Sequence, residues 1–401
     1  MAYQNVGKPR IFIDYYQYSA AIGNISYWGE YNATTLSPQH QGIFMNPLLP
    51  ATMSNYNGGT RHYHFVSFMY GMNFYAMLGH NMGGVPVGPA IQYSGENIGG
   101  NDIWLNNIGG THQSEEIMNM DFSTTPGAGA NNRYGTPRYN GFSIWKFPEI
   151  TADMAKVTLE HPDEEIGTQD VQIHDHFSYS ADGMYPDPLD GSAIGTYVSG
   201  FTPVCGRIYE FEHAPDVKVT MERQFDGTKK QKTVGGADIS NTTFTGPPNW
   251  PLSGNPWTLT EASPGVTPEP VKASRIGRRV WKLKFSMLSD RVEGGNGVMS
   301  INELSTPFGV DTSDGAGYAN TDWSNDGVQD YFVKDLWTDD SFMGCVFAKT
   351  MGFTLPFIFQ PDSNNNSPDQ FAICKIDNKS LRIKQSSFKK YDISLTIREV
   401  W

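Results

Sequence analysis

Alternation of apolar and polar residues is the commonest pattern in this chain of 401 residues, and helical periodicity is scarce. A clear example is Arg279–Met287, in which Trp281 and Phe285 alternate with Lys282 and Lys284. A strand with this pattern turns one face towards a core and the other towards water, because successive side chains point to opposite sides. The chain is therefore predicted to be mostly β.

Segments of this kind recur along the whole chain and predict its strands. In the first half they are Arg61–Phe68, Asn73–Leu78, Phe142–Phe147, Lys156–Glu160 and Val171–Tyr179. In the second half they are Gly206–Glu212, Val217–Arg223, Thr228–Val234, Arg279–Met287, Phe357–Gln360, Phe371–Ile376, Leu381–Gln385 and Tyr391–Val400. The Gly and Pro residues between them are typical of short strands joined by tight turns.

One β-hairpin is predicted from a turn signal. Asp226-Gly227 lies between the alternating runs Val217–Arg223 and Thr228–Val234. Both central positions of a type I′ turn take positive φ, which an Asp-Gly pair adopts readily. The two runs are therefore expected to pair with each other.

The one helix candidate covers about residues 339–351. Asp340 or Ser341 can serve as its N-cap, because their side-chain oxygens accept hydrogen bonds from the first free backbone N–H groups. The residues expected to face a sheet are Phe342, Val346 and Met351.

The length predicts two domains, because a single core rarely grows beyond about 250–300 residues. The boundary is placed between Asp182 and Gly200, where Pro and Gly cluster. The predicted units are an N-terminal segment at 1–55, a β-sandwich domain at 56–185 and a second β-sandwich domain at 186–401. The second domain contains a long loop at 235–274 that is rich in Pro, Thr and Gly.

The net charge narrows the classes of function. The formal charge at pH 7 is -13, which argues against binding to nucleic acid or anionic lipid, since both attract basic surfaces. The basic groups either steer assembly against acidic patches of neighbouring subunits or protect edge strands from wrong pairing. They are Lys229, Lys230, Lys232, Arg278, Arg279, Lys389 and Lys390.

Cysteine usage and the N-terminus indicate where the protein folds. Cys205, Cys345 and Cys374 each lie in an apolar stretch and form no CxxC pair, so buried free thiols are predicted. Free thiols imply folding in a reducing cytoplasm. Met1–Arg10 lacks an apolar signal region, and no apolar run approaches the length of a membrane span. We expect synthesis in the cytosol without a membrane anchor.

The candidate metal and catalytic patterns are incomplete. His174 and His176 share one face of a predicted strand, but the spacing places no third ligand beside them. The run from Asp322 to Gly327 resembles the start of a calcium loop, yet its twelfth position is Val333 rather than Glu. The chain has no P-loop, HExxH, GxSxG or dinucleotide-binding fingerprint. We therefore predict no enzymatic activity, no metal and no cofactor.

The second half carries an ordered set of short motifs, which are Gly277–Phe285, Lys349–Pro361, Asp369–Cys374, Ser380–Gln385 and Tyr391–Trp401. In this order they resemble the minor and distal tail proteins of tailed bacteriophages, and the resemblance runs from Gly206 to Trp401. It implies a tail-tube-like β-sandwich with one flanking helix, which builds rings through sheet edges. The long insertion Gly235–Ser274 departs from that pattern.

The function that this resemblance implies is structural. The chain would be a virion protein of the tail tip or distal tail, a component of the baseplate hub. Its partners would be further copies of itself, in a ring-like homo-oligomer, and other phage tail proteins. The candidate assembly residues are Arg278, Arg279, Arg398 and Trp401.

A second resemblance lies in the first half. Asn73–Gly84 contains Ala-Met-Leu-Gly-His-Asn and resembles a strand and turn of discoidin-like, galactose-binding-like jelly rolls. Many such modules bind sugars on aromatic side chains in their loops, because a ring face packs well on sugar C–H groups. The candidate ligand-binding residues are Tyr56, Arg61 and Trp104. In the alternative, the module is a spacer whose turn residues only satisfy backbone groups.

Three hypotheses from different classes follow. The first is a tail assembly protein, which closed rings would support. The second is a carbohydrate-binding, receptor-recognition module on the virion, whose binding of a host surface glycan would be lost on Trp104→Ala. The third is a glycan-degrading tail enzyme, which activity on host polysaccharide would reveal.

Overall fold

The computed structural model describes residues 6–21, 27–29, 63–67, 71–80, 88–93, 115–122, 135–138, 141–150, 154–160, 202–224, 228–242, 260–261, 269–270, 277–289, 341–388 and 390–400. Strands dominate these residues, so the predicted mostly β class is confirmed. No helix in this part of the chain is long and apolar enough to cross a membrane.

The strands of the first half of the chain are β1 (Arg10–Asp14), β2 (Tyr27–Gly29), β3 (Tyr63–Ser67), β4 (Met72–His80), β5 (Gly88–Tyr93), β6 (Glu115–Met118), β7 (Met120–Asp121), β8 (Thr136–Pro137), β9 (Gly141–Ile150) and β10 (Met154–Glu160). A short helix, α1 (Tyr15–Ala21), follows β1 directly.

The strands of the second half are β11 (Thr202–Glu210), β12 (Thr220–Gln224), β13 (Thr228–Lys232), β14 (Asp238–Thr242), β15 (Thr260–Glu261), β16 (Glu269–Pro270), β17 (Arg278–Ser289), β18 (Phe357–Gln360), β19 (Ala372–Ile376), β20 (Ile383–Ser387) and β21 (Lys390–Glu399). A π-helix (Phe342–Ala348) and a 3-10 helix (Pro368–Gln370) lie among them.

The main element of the fold is an antiparallel sheet of 11 strands in the order β12-β17-β21-β19-β18-β1-β11-β4-β9-β6, with β20 also paired to β21. A second sheet of 4 strands has the order β2-β3-β10-β5. The pairs β13–β14, β15–β16 and β7–β8 each form a two-stranded sheet.

The N-terminal strand β1 joins the two parts of the main sheet, and we call it the seam strand. It pairs with β11 along Arg10–Asp14 and with β18 through its first three residues. Strands β4, β9 and β6 lie beyond β11, whereas β17, β21 and β19 lie beyond β18. The predicted N-terminal segment therefore pairs with two strands of the predicted second domain, and one of them, β11, pairs in turn with β4 of the predicted first domain. The boundaries at 55/56 and 185/186 stay predictions.

The central strands are covered on both faces. In β1, Ile11 and Ile13 belong to one apolar cluster, and Phe12 belongs to the cluster on the opposite face. Strand β17 is different, because Trp281, Leu283 and Phe285 are buried in the first cluster while Lys282 and Lys284 are exposed. The predicted division of this strand into a buried and a wet face is confirmed.

The predicted hairpin is wrong in its pairing. Strand β12 pairs with β17, whereas β13 pairs with β14 across a turn that contains Gly235-Gly236. Gly236 has φ of 82°, which glycine adopts without steric cost. The segment predicted as a long loop at 235–274 accordingly contains the strands β14, β15 and β16.

The helix prediction is confirmed in place and wrong in two details. Ser341 is the N-cap, and its Oγ accepts a hydrogen bond from the N–H of Gly344 at 3.2 Å. The hydrogen-bond pattern is that of a π-helix, in which Phe342 and Val346 are buried as expected. Met351 does not face the sheet, because it follows the helix in a left-handed conformation (φ 55°) and is exposed.

The cysteine prediction is confirmed. Cys205, Cys345 and Cys374 are free thiols, and all three are buried. Cys205 lies in β11 and Cys374 in β19, on the face of the main sheet that carries the larger apolar cluster. They fill core volume as small apolar side chains.

Candidate assembly surface

One part of the sheet edge is closed by side chains. The segment that precedes β12 also runs beside β17, and the N–H of Asp216 donates to the carbonyl of Lys284 at 2.8 Å. The Asp216 carboxylate accepts from the N–H of Ser286 at 3.2 Å, and Glu212 accepts from the N–H of Ser289 at 2.7 Å. Together these bonds occupy one backbone carbonyl and two backbone N–H groups of β17 that a strand from another chain would need for pairing.

Both carboxyl groups are held ionised. Burial alone would raise the pKa of Glu212 and of Asp216, but hydrogen bonds from Ser289 and Ser286 outweigh it, and lysine charges add to them. The net result is a pKa below the usual value in each case. The closed part of the edge is therefore charged as well as hydrogen-bonded.

The remaining part of this edge is the outer side of β12. No strand in the described ranges pairs with that side. Val217 and Val219 in the segment just before β12, and Met221 within it, are exposed, Val217 to 94%. Met221 lies opposite the buried Trp281 in the register of β12 and β17, so the apolar layer reaches the rim of the sheet. We call these three residues the edge ridge.

A β-hairpin follows β12 after three residues. It consists of β13 and β14, residues 228–242, and we call it the arm. All of residues 230–240 are exposed, and neither strand of the arm pairs with another described strand. A two-stranded hairpin is marginally stable in water unless a further surface packs against it.

The turn of the arm is ordered by its own hydrogen bonds. The N–H of Thr233 donates to the carbonyl of Ala237 at 2.9 Å, and the N–H of Ala237 donates to Thr233 Oγ1 at 3.0 Å. Between them, Val234 is fully exposed at the tip. The arm thus presents an apolar residue on a preformed turn.

The arm is basic in an acidic chain. Lys229, Lys230 and Lys232 against Asp238 give it a formal charge of +2, which leaves -15 on the rest of a chain whose net charge is -13. Opposite charges of this kind guide two surfaces together and fix their orientation. An acidic surface is therefore the partner that the arm fits best.

Of the predicted assembly residues, Arg279 makes hydrogen bonds within its own chain. Its guanidinium donates to both carboxylate oxygens of Glu399, at 3.2 and 3.0 Å, and to the carbonyl of Phe371 at 2.9 Å. Its Cζ also lies 5.1 Å from the ring centre of Trp281. Arg279 therefore ties β17 to β21 and to the end of β19.

Arg278 and Arg398 are half-buried and lie on the same part of the sheet. Arg278 pairs with Gln224 of β12, and Arg398 lies between Val280 of β17 and Lys375 of β19. Sequence reasoning grouped them with Arg279. It predicted the first strand of the arm and its lysines but not the second strand, and it missed the edge ridge. The signal for the arm is Gly235-Gly236 between two polar alternating runs.

The other candidates lie outside the described residues. They are Tyr56, Arg61, Trp104 and Trp401, the strand Val171–Tyr179 with His174 and His176, and the loop from Asp322 to Gly327.

Comparison with known proteins identifies no relative. No protein-family model matches the chain, and no curated protein and no solved structure matches it.

Proposed function

We propose that this chain is a structural protein of a tailed-bacteriophage virion, located in the tail tip or distal tail, where it assembles with further copies of itself and with other tail proteins. Its role would be to bury surface between subunits, with no chemical step. The arm carries this proposal, because a two-stranded hairpin that is exposed over residues 230–240 and has an apolar tip gains stability when a neighbour covers it.

The arrangement of the motifs supports the same function. The segments that resemble distal tail proteins contribute to β17, β18, β19, β20 and β21. Four of these strands are consecutive neighbours in the main sheet, in the order β17-β21-β19-β18, and β20 pairs with β21. The π-helix packs beside β11 and β1 on one face of that sheet. The resemblance implies a β-sandwich with one flanking helix, and a helix packed on one face of a sheet is compatible with part of that architecture.

The basic residues of the arm are expected to control assembly. Reversing their charge in a Lys229→Glu, Lys230→Glu, Lys232→Glu variant should weaken self-association by more than about tenfold, because like charges then face each other across the contact. Sedimentation velocity over a concentration series measures this change. The wild-type protein should also dissociate as salt is raised, since exposed charges are screened.

A matched control separates the position of the charge from its amount. Lys379, Arg382 and Lys384 are exposed basic residues outside the arm, and reversing all three to Glu, which changes the net charge by the same amount, should leave association close to wild type. Equal sedimentation of the arm variant and the wild type would contradict a role for the arm.

A further inference from the structure

The outer edge of β12 differs from the closed part of the same sheet edge, because its side chains are exposed. From Lys218 to Arg223 every residue except the half-buried Glu222 is exposed. No strand in the part of the chain that the structure describes pairs with the outer side of β12. An exposed edge strand offers backbone N–H and C=O groups to which a strand of another chain can add.

The two faces of this stretch differ in polarity. In the register of β12 with β17, Met221 lies opposite the buried Trp281, and Thr220 lies opposite the exposed Lys282. Opposite residues of an antiparallel pair share a face of the sheet, and successive residues alternate between the faces. The apolar face therefore consists of Val219 and Met221, and the polar face of Lys218, Thr220 and Glu222.

The stretch is self-complementary when it pairs with an antiparallel copy of itself. With Thr220 opposite Thr220 of the second copy, Lys218 lies opposite Glu222, and the same ion pair recurs on the other side of the twofold axis. On the apolar face Val219 then lies opposite Met221. Opposite charges and apolar side chains in directly opposite positions stabilise a sheet.

The neighbouring registers lack this match. A register that keeps the two apolar faces on one side has its twofold axis at a residue, because a slip by one residue turns every side chain to the other face. An axis at Lys218 or at Glu222 places like charges opposite each other. An axis at Val219 places Glu222 opposite Asp216, and an axis at Met221 leaves Lys218 opposite an uncharged residue. The charge pattern therefore selects the axis at Thr220.

Glu222 also has a partner in its own chain, since its carboxylate pairs with the Nζ of Lys282. The two side chains of this pair are 42% and 51% exposed, and an ion pair so exposed contributes little to the stability of a fold. A carboxylate accepts several hydrogen bonds. Glu222 can therefore accept one from Lys218 of a second copy and keep its bond to Lys282.

We propose that β12 is a homodimer contact, in which the strands of two copies pair antiparallel about a twofold axis at Thr220 and join their main sheets edge to edge. The contact rests on the self-association proposed above and gives it a second surface. An isologous contact closes after two copies. It therefore makes pairs of subunits and leaves the arm to link the pairs into larger assemblies.

Oxidation of a full-length Thr220→Cys variant tests the position of the axis. Directly opposite residues of an antiparallel pair have Cα atoms about 4.5–5.5 Å apart, which is within the reach of a disulfide. The variant should form a covalent dimer on a non-reducing gel. The native cysteines are buried, so they should not compete for the new thiol.

The matched control is Val217→Cys. Val217 is 94% exposed, but in the proposed register it should lie more than about 15 Å from its own copy. This variant should stay uncrosslinked under the same oxidation. No covalent dimer of Thr220→Cys, or equal amounts of dimer from both variants, would overturn the axis at Thr220.

Exchange of the charges tests the pairing itself. Lys218→Glu and Glu222→Lys should each weaken self-association by about tenfold, because each variant places like charges opposite each other at two positions. An equimolar mixture of the two should regain the association of the wild type, since both positions then carry opposite charges. Sedimentation velocity measures the three samples, and recovery in the mixture also shows that both variants fold.

The outcomes separate this contact from the proposed function. If the wild type associates but the mixture associates no more strongly than the single variants, or the single variants associate like the wild type, the β12 contact is overturned and the proposed self-assembly stands. A wild-type protein that stays a monomer would overturn both.

Discussion

Replacing Phe12 with alanine is expected to lower the free energy of unfolding by about 3–5 kcal/mol, the range measured when a buried phenylalanine is truncated and leaves a cavity. Phe12 has no exposed surface. Its ring lies 5.2 Å from that of Phe74 and 6.1 Å from that of Phe371. These partners come from opposite sides of the seam, so the substitution loosens the contact between both parts of the sheet.

Denaturant unfolding followed by tryptophan fluorescence measures this loss. Phe388→Ala is a matched control, because Phe388 is 82% exposed, and it should shift the free energy of unfolding by less than about 0.5 kcal/mol. A Phe12→Ala protein as stable as the wild type would show that the seam strand does not hold the sheet together.

The second large effect is expected at Glu399. Glu399→Gln should cost about 3–5 kcal/mol, because removing one partner of a buried ion pair leaves the other charge uncompensated. The Glu399 side chain is 1% exposed and that of Arg279 is 12% exposed. The carboxylate also accepts from the backbone N–H of Arg279 at 2.9 Å, so the variant weakens the β17–β21 contact as well.

A double-mutant cycle separates the pair from its surroundings. Replacing both residues with apolar ones, in Arg279→Met with Glu399→Leu, should recover most of the stability that either single change loses, because no charge is then left buried and unpaired. Losses that simply add in the double variant would contradict the coupling.

The sequence predicts best those elements whose two faces differ. In β17 and β21, buried and wet positions alternate, and both strands lie within one or two residues of their predicted bounds. Phe357–Gln360 is found as predicted because it is short, apolar and flanked by turn residues. These strands carry the phage-tail resemblance.

The seam strand was not predicted from the sequence, and the reason is physical. Its sequence, Arg-Ile-Phe-Ile-Asp, does not alternate, since both faces of the strand are buried. Only five residues long, it cannot be told from any short apolar run by its pattern. Its position between β11 and β18 depends on pairing with segments far away in the chain.

The candidate site was predicted in part. The lysines of the arm stood out as a basic group in the sequence, but their hairpin was paired with the wrong strand. Asp226-Gly227 and Gly235-Gly236 are alternative turn signals, one on each side of β13. In the structure β13 pairs with β14, and β12 pairs with β17. Arg279 was grouped with assembly residues because its partner, Glu399, lies 120 positions away in the chain.

Native mass spectrometry of the purified full-length protein, with negative-stain electron microscopy of the same sample, tests the central claim most directly. Assembly through the arm and the sheet edge predicts one defined oligomer and closed, ring-shaped particles at micromolar concentration. A protein that remains a monomer at the highest concentration reached, with no rings in the images, would contradict self-assembly.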